Sequence, residues 1–373
     1  MRRKIVCIGC NSCQAVWNFR SNLIRAIQSE GYRVVVLAPR DEYAAKLEGM
    51  GVQVLDLPMK MNKNPIADIA LAIRFFRNFA RIKPVAYLGF TAKPNIYGSI
   101  SAYLLSIPSI CNVSGLGYGF IAGGIISRVL KALYRVAFAN SSLVFFQNQD
   151  DIDLFQREGI IRHQRVDLLP GSGVDLARFK LLPRKCPKGR KFRFLMVARV
   201  LRDKGVFEYV EAARIILAEN KDAEFWLLGS ASIDNPAAVS PKTISSWVSE
   251  GCITHIHFQD DVRTFIESAD CVVLPSYREG TPRVLLEAAA SGRAVITSDA
   301  IGCRNAVIDG ETGYLCGTRD ANDLARKMRQ MLELPFDRAS ELGRNGRLFM
   351  EKAFDERIVI GKYRKAIRLS IEV

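Results

Sequence analysis

Two glutamates with a defined spacing are the first candidates for chemistry in this chain. In the segment SYREGTPRVLLEAA, residues 276–289, Glu279 lies in a turn that contains glycine and proline. Glu287 follows eight residues later, inside an apolar pattern typical of a helix. Such a pair could be a catalytic acid and base, a clamp for a sugar, or two ordinary acids at the start of a helix.

The start of the helix is itself a candidate binding site. Pro282 suits a first helical turn, where its missing N–H costs nothing. The free N–H groups of residues 281–284 and the positive end of the helix dipole attract phosphate or sugar oxygens. A carboxylate accepts the hydrogen bonds that sugar and ribose hydroxyls donate. On spacing alone, ordinary helix-entry acids remain an alternative.

Two cations follow an earlier strand in the segment FLMVARVLRDKG, residues 194–205. Arg199 lies just beyond the strand, and Lys204 precedes a helix that begins near Gly205. Two cations and a helix start at the carboxyl end of a strand could bind a diphosphate. Read alone, the segment could equally be a solvated turn.

These segments need strands to position them, and the chain alternates short apolar runs with helical stretches. The runs suit strands that are buried on both faces of a parallel sheet, so we predict right-handed βαβ units. The predicted strands are 4–9, 33–39, 52–58, 85–90, 109–114, 143–148, 166–170, 192–198, 224–229, 253–258, 271–276, 294–298 and 313–316.

A Pro-rich and charged stretch without periodicity, residues 176–191, predicts a linker between two domains. The first domain is predicted to cover residues 1–175 and to be joined by a C-terminal helix at 355–373. The second is predicted to cover residues 192–354. Both should be doubly wound α/β domains, which bind ligands at the carboxyl ends of their strands.

The net charge of +15 belongs almost entirely to the first half. Residues 1–185 hold 25 basic and 12 acidic side chains, whereas residues 186–373 hold 28 and 26. Between Asp68 and Asp150 there is no acidic residue and there are eight basic ones. This asymmetry favours contact between one domain and a polyanionic surface, either nucleic acid or an anionic membrane.

Cysteines and apolar runs indicate the compartment. Nine scattered cysteines fit reduced thiols, and Cys7, Cys10 and Cys13 are interpreted as small buried side chains rather than cluster ligands. No apolar run reaches the roughly 18 residues of a membrane span. The start, MRRKIVCIGC, lacks a signal-peptide cleavage pattern. We therefore predict a cytoplasmic protein that does not span a membrane.

Taken together, the motifs resemble those of the retaining glycosyltransferases of family 4, which have the GT-B fold of two Rossmann-like domains that face each other across a cleft. The family's glutamate–seven residues–glutamate motif matches Glu279 and Glu287, and its arginine–lysine pair matches Arg199 and Lys204. Residues 170–179 are similar to the family's inter-domain segment, and residues 293–315 to the stretch that follows its motif. The resemblance is close from 166 to 316 and loose before 100.

The resemblance implies a role for each of these residues. Arg199 and Lys204 would bind the diphosphate of a UDP-sugar and stabilise the charge that develops on it, Glu287 would bind the ribose, and Glu279 would face the donor sugar near its anomeric carbon. Gly280, Thr281 and Pro282 would offer backbone groups beside that sugar. The two acids would then be two ends of one clamp. The family implies retention of configuration without an obligate metal; Asp151 and Asp153 could be metal ligands, but acids that open a helix are expected to cap it.

The acceptor side is predicted from glycines in the first domain. The loop at 112–124 contains Gly115 and Gly117, which would let the backbone approach a ligand closely. It is similar to a loop in relatives that extend polyprenyl-diphosphate-linked sugars, as is GCR at 302–304. Gly9 begins the loop that corresponds to the family's first acceptor-side loop.

Two basic helical patterns could face a membrane. Arg74, Arg77 and Arg81 share one spacing with Arg128, Lys131 and Arg135, and Phe75, Phe76 and Phe79 lie beside the first set. Basic amphipathic helices bind anionic bilayers, with apolar side chains inserted. Alternatively, the apolar sides pack on the sheet and the cations face water.

The leading hypothesis is a peripheral glycosyltransferase on the inner face of the cell membrane. It would move a hexose or N-acetylhexosamine from a UDP-sugar to a polyprenyl-diphosphate-linked sugar acceptor in the synthesis of a surface glycan. Two alternatives keep the fold: a transferase with a soluble acceptor, and a nucleotide-sugar epimerase. A third, an RNA-binding protein, rests on charge alone and gives no reason for the spacing of Glu279 and Glu287, so nucleic acid is not a predicted partner.

Overall fold

The structure is a computed structural model that describes residues 4–59, 64–116, 120, 124–183, 189–219, 222–231, 235 and 237–372. The chain divides into two compact units. Unit 1 contains the residues up to Ser172 and those from Arg357 onward, and unit 2 contains Gly173–Glu356.

The division falls before the predicted linker. The described part of residues 176–191 belongs to unit 2, because main-chain hydrogen bonds tie this segment to it. The N–H of Leu182 donates to the carbonyl of Ser291 at 3.3 Å, and just before the segment the N–H of Val174 donates to the carbonyl of Phe354 at 2.8 Å. The composition of the segment therefore indicated irregular structure rather than a free linker.

Unit 1 is built on a parallel sheet in the order β3-β2-β1-β4-β5-β6-β7. Its strands are β1 (Ile5–Gly9), β2 (Arg33–Ala38), β3 (Gln53–Asp56), β4 (Ala86–Phe90), β5 (Ser109–Val113), β6 (Leu143–Phe146) and β7 (Val166–Leu168). β1 and β4 lie side by side with Cys7 opposite Tyr87. Every residue of β4 and β5 is buried, as expected for strands covered on both faces.

Unit 2 repeats this plan with the order β10-β9-β8-β11-β12-β13, again all parallel. Its strands are β8 (Phe192–Val197), β9 (Ala223–Leu228), β10 (Thr254–Ile256), β11 (Cys271–Leu274), β12 (Ala294–Ser298) and β13 (Gly313–Cys316). In both sheets the strand order reverses direction beside the first strand, between β1 and β4 and between β8 and β11. The predicted strands are thus confirmed along the chain, with ends that differ by up to two residues.

Helices cover the sheets. In unit 1 they are α1 (Cys13–Ser29), α2 (Ala44–Glu48), α3 (Pro65–Ile82), a π-helical turn (Pro94–Gly98), α4 (Ser99–Leu104), α5 (Gly124–Phe138) and α6 (Gln149–Arg157). In unit 2 they are α7 (Val206–Glu219), α8 (Pro241–Ser249), α9 (Arg263–Ser268), α10 (Arg283–Ala290), α11 (Ala321–Leu332) and α12 (Phe336–Ala353), with 3₁₀ turns at Arg202–Lys204 and Arg304–Ala306. Among the described residues, no helix combines the length and the apolar character that a bilayer crossing requires.

The last helix, α13 (Glu356–Ile371), packs on unit 1 over most of its length. Tyr363 is fully buried, and its ring lies 4.9 Å from that of Phe145. Its hydroxyl accepts a 2.7 Å hydrogen bond from the Asn112 side chain. Lys362 donates to Asp167 at 2.7 Å. These contacts explain why a C-terminal segment belongs to the first unit.

Candidate functional site

The predicted donor-side residues lie at one edge of the sheet of unit 2. β8 and β11 are parallel neighbours, with Cys271 opposite Phe194 and Val272 opposite Leu195. The segments that follow these strands therefore emerge at the same carboxyl edge. This edge is also the point where the strand order reverses, which is where doubly wound sheets bind ligands.

Lys204 ends a 3₁₀ turn that rests directly on the end of β11. Gly205 has a φ of 74°, and a Cβ there would overlap the carbonyl oxygen of Pro275. The N–H of Tyr277 donates to the carbonyl of Asp203 at 3.0 Å. Only glycine fits both the left-handed backbone and this close approach. The turn thus holds Lys204 in place against the segment that carries Glu279.

Lys204 and Glu279 form an ion pair. Their side chains are only 15% and 17% exposed. The hydroxyl of Ser276 donates to the same carboxylate oxygen at 2.9 Å. A half-buried carboxylate with two donors on one oxygen is held in one orientation.

Gly302 fixes the main chain of the Glu279 loop from the other side. Its φ is 81°, and a Cβ there would overlap the carbonyl oxygens of Glu279 and Gly280. The N–H of Glu279 donates to the carbonyl of Ile301 at 3.0 Å. Beside it, burial and the nearby Glu279 raise the pKa of the Cys303 thiol to about 12. Sequence reasoning noted GCR only as a resemblance and missed this supporting role, as it missed Ser276.

Glu287 lies in α10, which begins at Arg283 with Pro282 as its N-cap. Pro282 therefore precedes the first helical turn rather than standing in it. Glu287 is buried, and burial raises the pKa of its carboxyl group although the Arg283 guanidinium acts to lower it. The Nε atom of Arg283 is 2.7 Å from Glu287 Oε1. Gly280 and Pro282 are buried and Thr281 is half-buried in the intervening segment.

Arg199 is placed differently from Lys204. It lies two residues beyond the end of β8 and is exposed, and no described carboxylate is within ion-pair distance of it. The main chain before it is tightly packed, since a Cβ at Gly229 would overlap the carbonyl oxygen of Ala198. The structure thus brings Lys204 and Glu279 into contact and leaves Arg199 as an exposed cation at the same sheet edge.

The glycines predicted for the acceptor side of unit 1 lie in different surroundings. Gly9 ends β1 beneath Tyr87, whose hydroxyl a Cβ would overlap, so packing alone accounts for glycine at this position. Gly115 has a φ of 124° just after β5, a conformation that favours glycine. Gly117 lies outside the described residues.

The basic helices also separate into two kinds. Arg74, Arg77 and Arg81 are exposed on α3, but Phe75 and Phe79 are fully buried, so of the three aromatics only Phe76 faces outward. On α5, Arg128 is exposed. Lys131 and Arg135 instead contact the end of α6. Lys131 lies 2.7 Å from Glu158, and Arg135 donates to the carbonyls of Glu158 and Gly159 at 2.9 Å.

The acids at 151 and 153 lie inside α6 and do not cap it, because the N-cap is Asn148. Asn148 is the N-cap of α6 and accepts a hydrogen bond from the N–H of Asp151 at 2.8 Å. The Asn148 amide donates back to the Asp151 carboxylate at 3.1 Å. Asp153 accepts from the Gln149 side chain at 2.7 Å. These contacts account for the spacing of both acids.

Two doubly wound parallel units, with a lysine, two glutamates and a helix start at the strand reversal of the second, define the GT-B class of glycosyltransferases. Solved structures with this fold match nearly the whole chain. Sucrose-phosphate synthase from Thermosynechococcus elongatus gives a TM-score of 0.81 at 19% identity, over 98% of this chain and 99% of that one. Anabaena HepE in complex with UDP and glucose gives 0.79 at 17% identity, over 98% and 100%.

Sequence comparison identifies the family. Residues 180–349 match the family model described as glycosyl transferases group 1, and residues 15–171 match a glycosyl transferase 4-like domain. A Campylobacter jejuni relative, N,N'-diacetylbacillosaminyl-diphospho-undecaprenol alpha-1,3-N-acetylgalactosaminyltransferase, is 27% identical over 86% of this chain and 87% of its own length. UDP-Gal:alpha-D-GlcNAc-diphosphoundecaprenol alpha-1,3-galactosyltransferase from Escherichia coli is 25% identical over 62% of each chain. The chain belongs to glycosyltransferase family 4, and it is a hexosyltransferase that resembles the members which extend lipid-linked oligosaccharides.

Proposed function

We propose that this glycosyltransferase takes a hexose or N-acetylhexosamine from a UDP-sugar and adds it, with retention, to a polyprenyl-diphosphate-linked sugar. The observation that carries the donor part is the half-buried Lys204–Glu279 pair beside the buried Glu287 at one sheet edge. The names of the Campylobacter and Escherichia relatives support the acceptor part, since both describe transfer to a diphospho-undecaprenol-linked sugar.

The proposed mechanism depends on charge. Breaking a glycosyl–phosphate bond develops negative charge on the leaving diphosphate, and fixed cations stabilise that charge. Lys204 is held for this task by Gly205 and by its own ion pair. Arg199, exposed at the same edge, adds a second cation once a diphosphate is present. We propose that these two cations suffice without an obligate metal.

The two glutamates contact different parts of the donor. Glu279 is fixed by Lys204 and Ser276 so that its remaining lone pairs can accept hydrogen bonds from sugar hydroxyls. Glu287, about one turn into α10, accepts hydrogen bonds from the ribose. We propose that the acceptor hydroxyl attacks the anomeric carbon on the face from which the diphosphate leaves, which retains the configuration. As the bond to the acceptor oxygen forms and the bond to the diphosphate breaks, the hydroxyl proton passes to the leaving phosphate.

Two alanine variants, each compared with the unmodified protein, test this assignment. We expect Glu287→Ala to weaken UDP binding, measured by calorimetry, by about tenfold or more, because it removes a charged acceptor. Glu279→Ala should leave UDP binding within about threefold and lower the transfer rate by about a hundredfold or more. Unchanged UDP affinity in the first variant, or unchanged transfer in the second, would contradict the assignment. Melting temperatures measured with a panel of UDP-sugars will show which donor stabilises the protein most.

We further propose that unit 1 binds the inner membrane surface peripherally through two helices. On α3, the exposed apolar residues Ile66, Ile69, Ile73 and Phe76 follow helical spacing along one stripe, and Ile66 is 79% exposed. Arg77 and Arg81 lie next to that stripe. On α5, Ile125, Val129 and Val136 form a similar exposed stripe beside Arg128. Both helices contact the π-helical turn at 94–98 and are therefore near one another in unit 1. We propose that both stripes face the bilayer.

Exposed isoleucines beside arginines match an anionic bilayer, which takes apolar side chains among its acyl chains and basic ones among its headgroups. Sedimentation with vesicles tests this. We expect binding to phosphatidylglycerol vesicles, weaker binding to phosphatidylcholine vesicles, and a loss of about tenfold in affinity for Ile69→Glu combined with Phe76→Glu. The matched control is Leu348→Glu, an equally exposed leucine on α12 of unit 2. Equal loss in the control, or no vesicle binding by the unmodified protein, would contradict this proposal.

A further inference from the structure

Arg283 occupies a position that its own helix does not favour. It is the first residue of α10, where the positive end of the helix dipole opposes a cation. Its partner Glu287 lies four residues toward the carboxyl end, and arginine before glutamate is the weaker order for such a pair. Helix stability therefore gives no reason for this ion pair.

The surroundings of Glu287 do give a reason. The charged groups that act on its carboxylate are Arg283 in the same helix, Arg178 in the segment after β7, and Asp261 before α9. Arg178 shares its charge with Asp261, at 4.0 Å. The Arg263 Nε–H is shared between both carboxylate oxygens of Asp261, at 2.9 and 3.0 Å. Arg283, at 2.7 Å, is the described cation in direct contact with Glu287.

We infer that Arg283 is a positioning residue that keeps the buried Glu287 ionised and oriented toward the ribose of the nucleotide. The inference rests on the proposed function, in which Glu287 binds that ribose. An ionised carboxylate accepts hydrogen bonds at both oxygens, whereas a protonated one loses part of that capacity. Burial favours the protonated form. The 2.7 Å ion-pair contact with Arg283 at Oε1 offsets this cost, and we infer that Oε2 accepts the hydrogen bond of a ribose hydroxyl.

Binding of UDP across pH separates this role from a structural one. We compare unmodified protein with Arg283→Met and Arg283→Gln by titration calorimetry from about pH 6 to 8.5. Loss of the cation raises the pKa of the buried carboxyl further, so the protonated, weakly binding form is favoured most at the low end of the range. Each affinity is expressed relative to the unmodified protein at the same pH, which cancels the titration of UDP itself. We expect both variants to bind about tenfold more weakly at pH 6 and only about twofold more weakly at pH 8.5. Arg283→Lys should restore most of the affinity.

A matched control and a double variant complete the experiment. Arg338 also stands in the first turn of a helix and pairs with a glutamate, Glu341, but there both side chains are exposed. Arg338→Met should leave UDP affinity unchanged at every pH. In a Glu287→Gln background, Arg283→Met should cause no further loss, since there is no carboxylate left to hold.

Two results would overturn the inference. One is a loss of UDP affinity in Arg283→Met that is equal at all pH values and persists in the Glu287→Gln background, which would mean that Arg283 contacts the diphosphate directly. The other is no loss at all. Failure of the proposed function is a different result, since Glu287→Gln would then bind UDP as tightly as the unmodified protein.

Discussion

Each unit holds a lysine–carboxylate pair at the carboxyl edge of its sheet, and the two pairs differ in what surrounds them. In unit 2, Lys204 follows β8 and contacts Glu279 beyond β11. In unit 1, Lys93 follows β4 and contacts Asp68 in the first turn of α3, at 2.6 Å. Exposure is similar, at 15% and 17% for the first pair and 22% and 20% for the second.

The pair in unit 2 is fixed by main-chain packing, whereas the pair in unit 1 is joined by another side chain. Glycines at 205 and 302 hold the segments of Lys204 and Glu279 through close backbone contacts. Asp68 instead interacts with Tyr97, whose pKa is raised by burial and by that carboxylate. Close backbone contacts restrict movement of the pair in unit 2, which is the support that a site for a ligand of defined shape needs, so we propose this pair as the one that binds the donor.

The largest expected effect comes from replacing the lysine of each pair. We expect Lys204→Met to lower the rate of sugar transfer by about 10²–10³-fold, because a fixed cation at the leaving diphosphate is lost. Lys93→Met should leave UDP affinity within about twofold, since its pair lies in the other unit. Steady-state kinetics and UDP calorimetry on both variants make the comparison. A larger loss of UDP affinity in Lys93→Met than in Lys204→Met would mean that the sheet edge of unit 1, and not that of unit 2, binds the nucleotide.

The glycines provide a second, smaller contrast. Gly302→Ala should displace the loop of Glu279 and Gly280, and we expect transfer to fall by about tenfold or more together with a lower melting temperature. Gly9→Ala would clash with the buried Tyr87 hydroxyl, so it should destabilise unit 1 by about 1–3 kcal/mol. Its UDP affinity should stay unchanged. Transfer at the normal rate by Gly302→Ala would show that the loop tolerates movement.

The sequence signals for the carboxyl edge of the sheet in unit 2 are local. A strand, a turn glycine and a helix start lie within a dozen residues, so the positions of Lys204 and Glu279 followed from the pattern together with the family resemblance. The ion pair between them did not follow, because their segments meet only through the pairing of β8 with β11. Asp68 and Lys93 were missed for the same reason, as a helix and a distant turn give no common spacing.

The surface helices of unit 1 show what the sequence could not predict. Periodicity placed Arg74, Arg77 and Arg81 on one face correctly, but it could not tell that Phe75 and Phe79 pack into the core while Ile66 and Ile69 stay exposed. Nor could it tell that Lys131 and Arg135 contact the end of α6. Which side of an amphipathic helix faces the sheet is decided by tertiary packing, and a helix with apolar residues on two sides leaves that choice open.

The smallest expected effect concerns the stability of unit 2 and reports on the buried Glu287 directly. Its pKa lies above the ordinary value of 4.5 because of burial. Between 4.5 and the raised value, the folded protein keeps a proton that the unfolded chain has lost, so stability falls as the pH rises through that window and is constant above it. Glu287→Gln has no such proton. The relevant melting temperature is that of the transition which UDP shifts. We expect the difference in this temperature, Glu287→Gln minus unmodified protein, to increase as the pH rises from about 4.5 toward neutrality. The total change should be at most a few degrees. If the melting temperatures of the two proteins change with pH in the same way, Arg283 compensates the buried charge completely. Any loss of UDP affinity in Glu287→Gln would then come from the lost ribose contact alone.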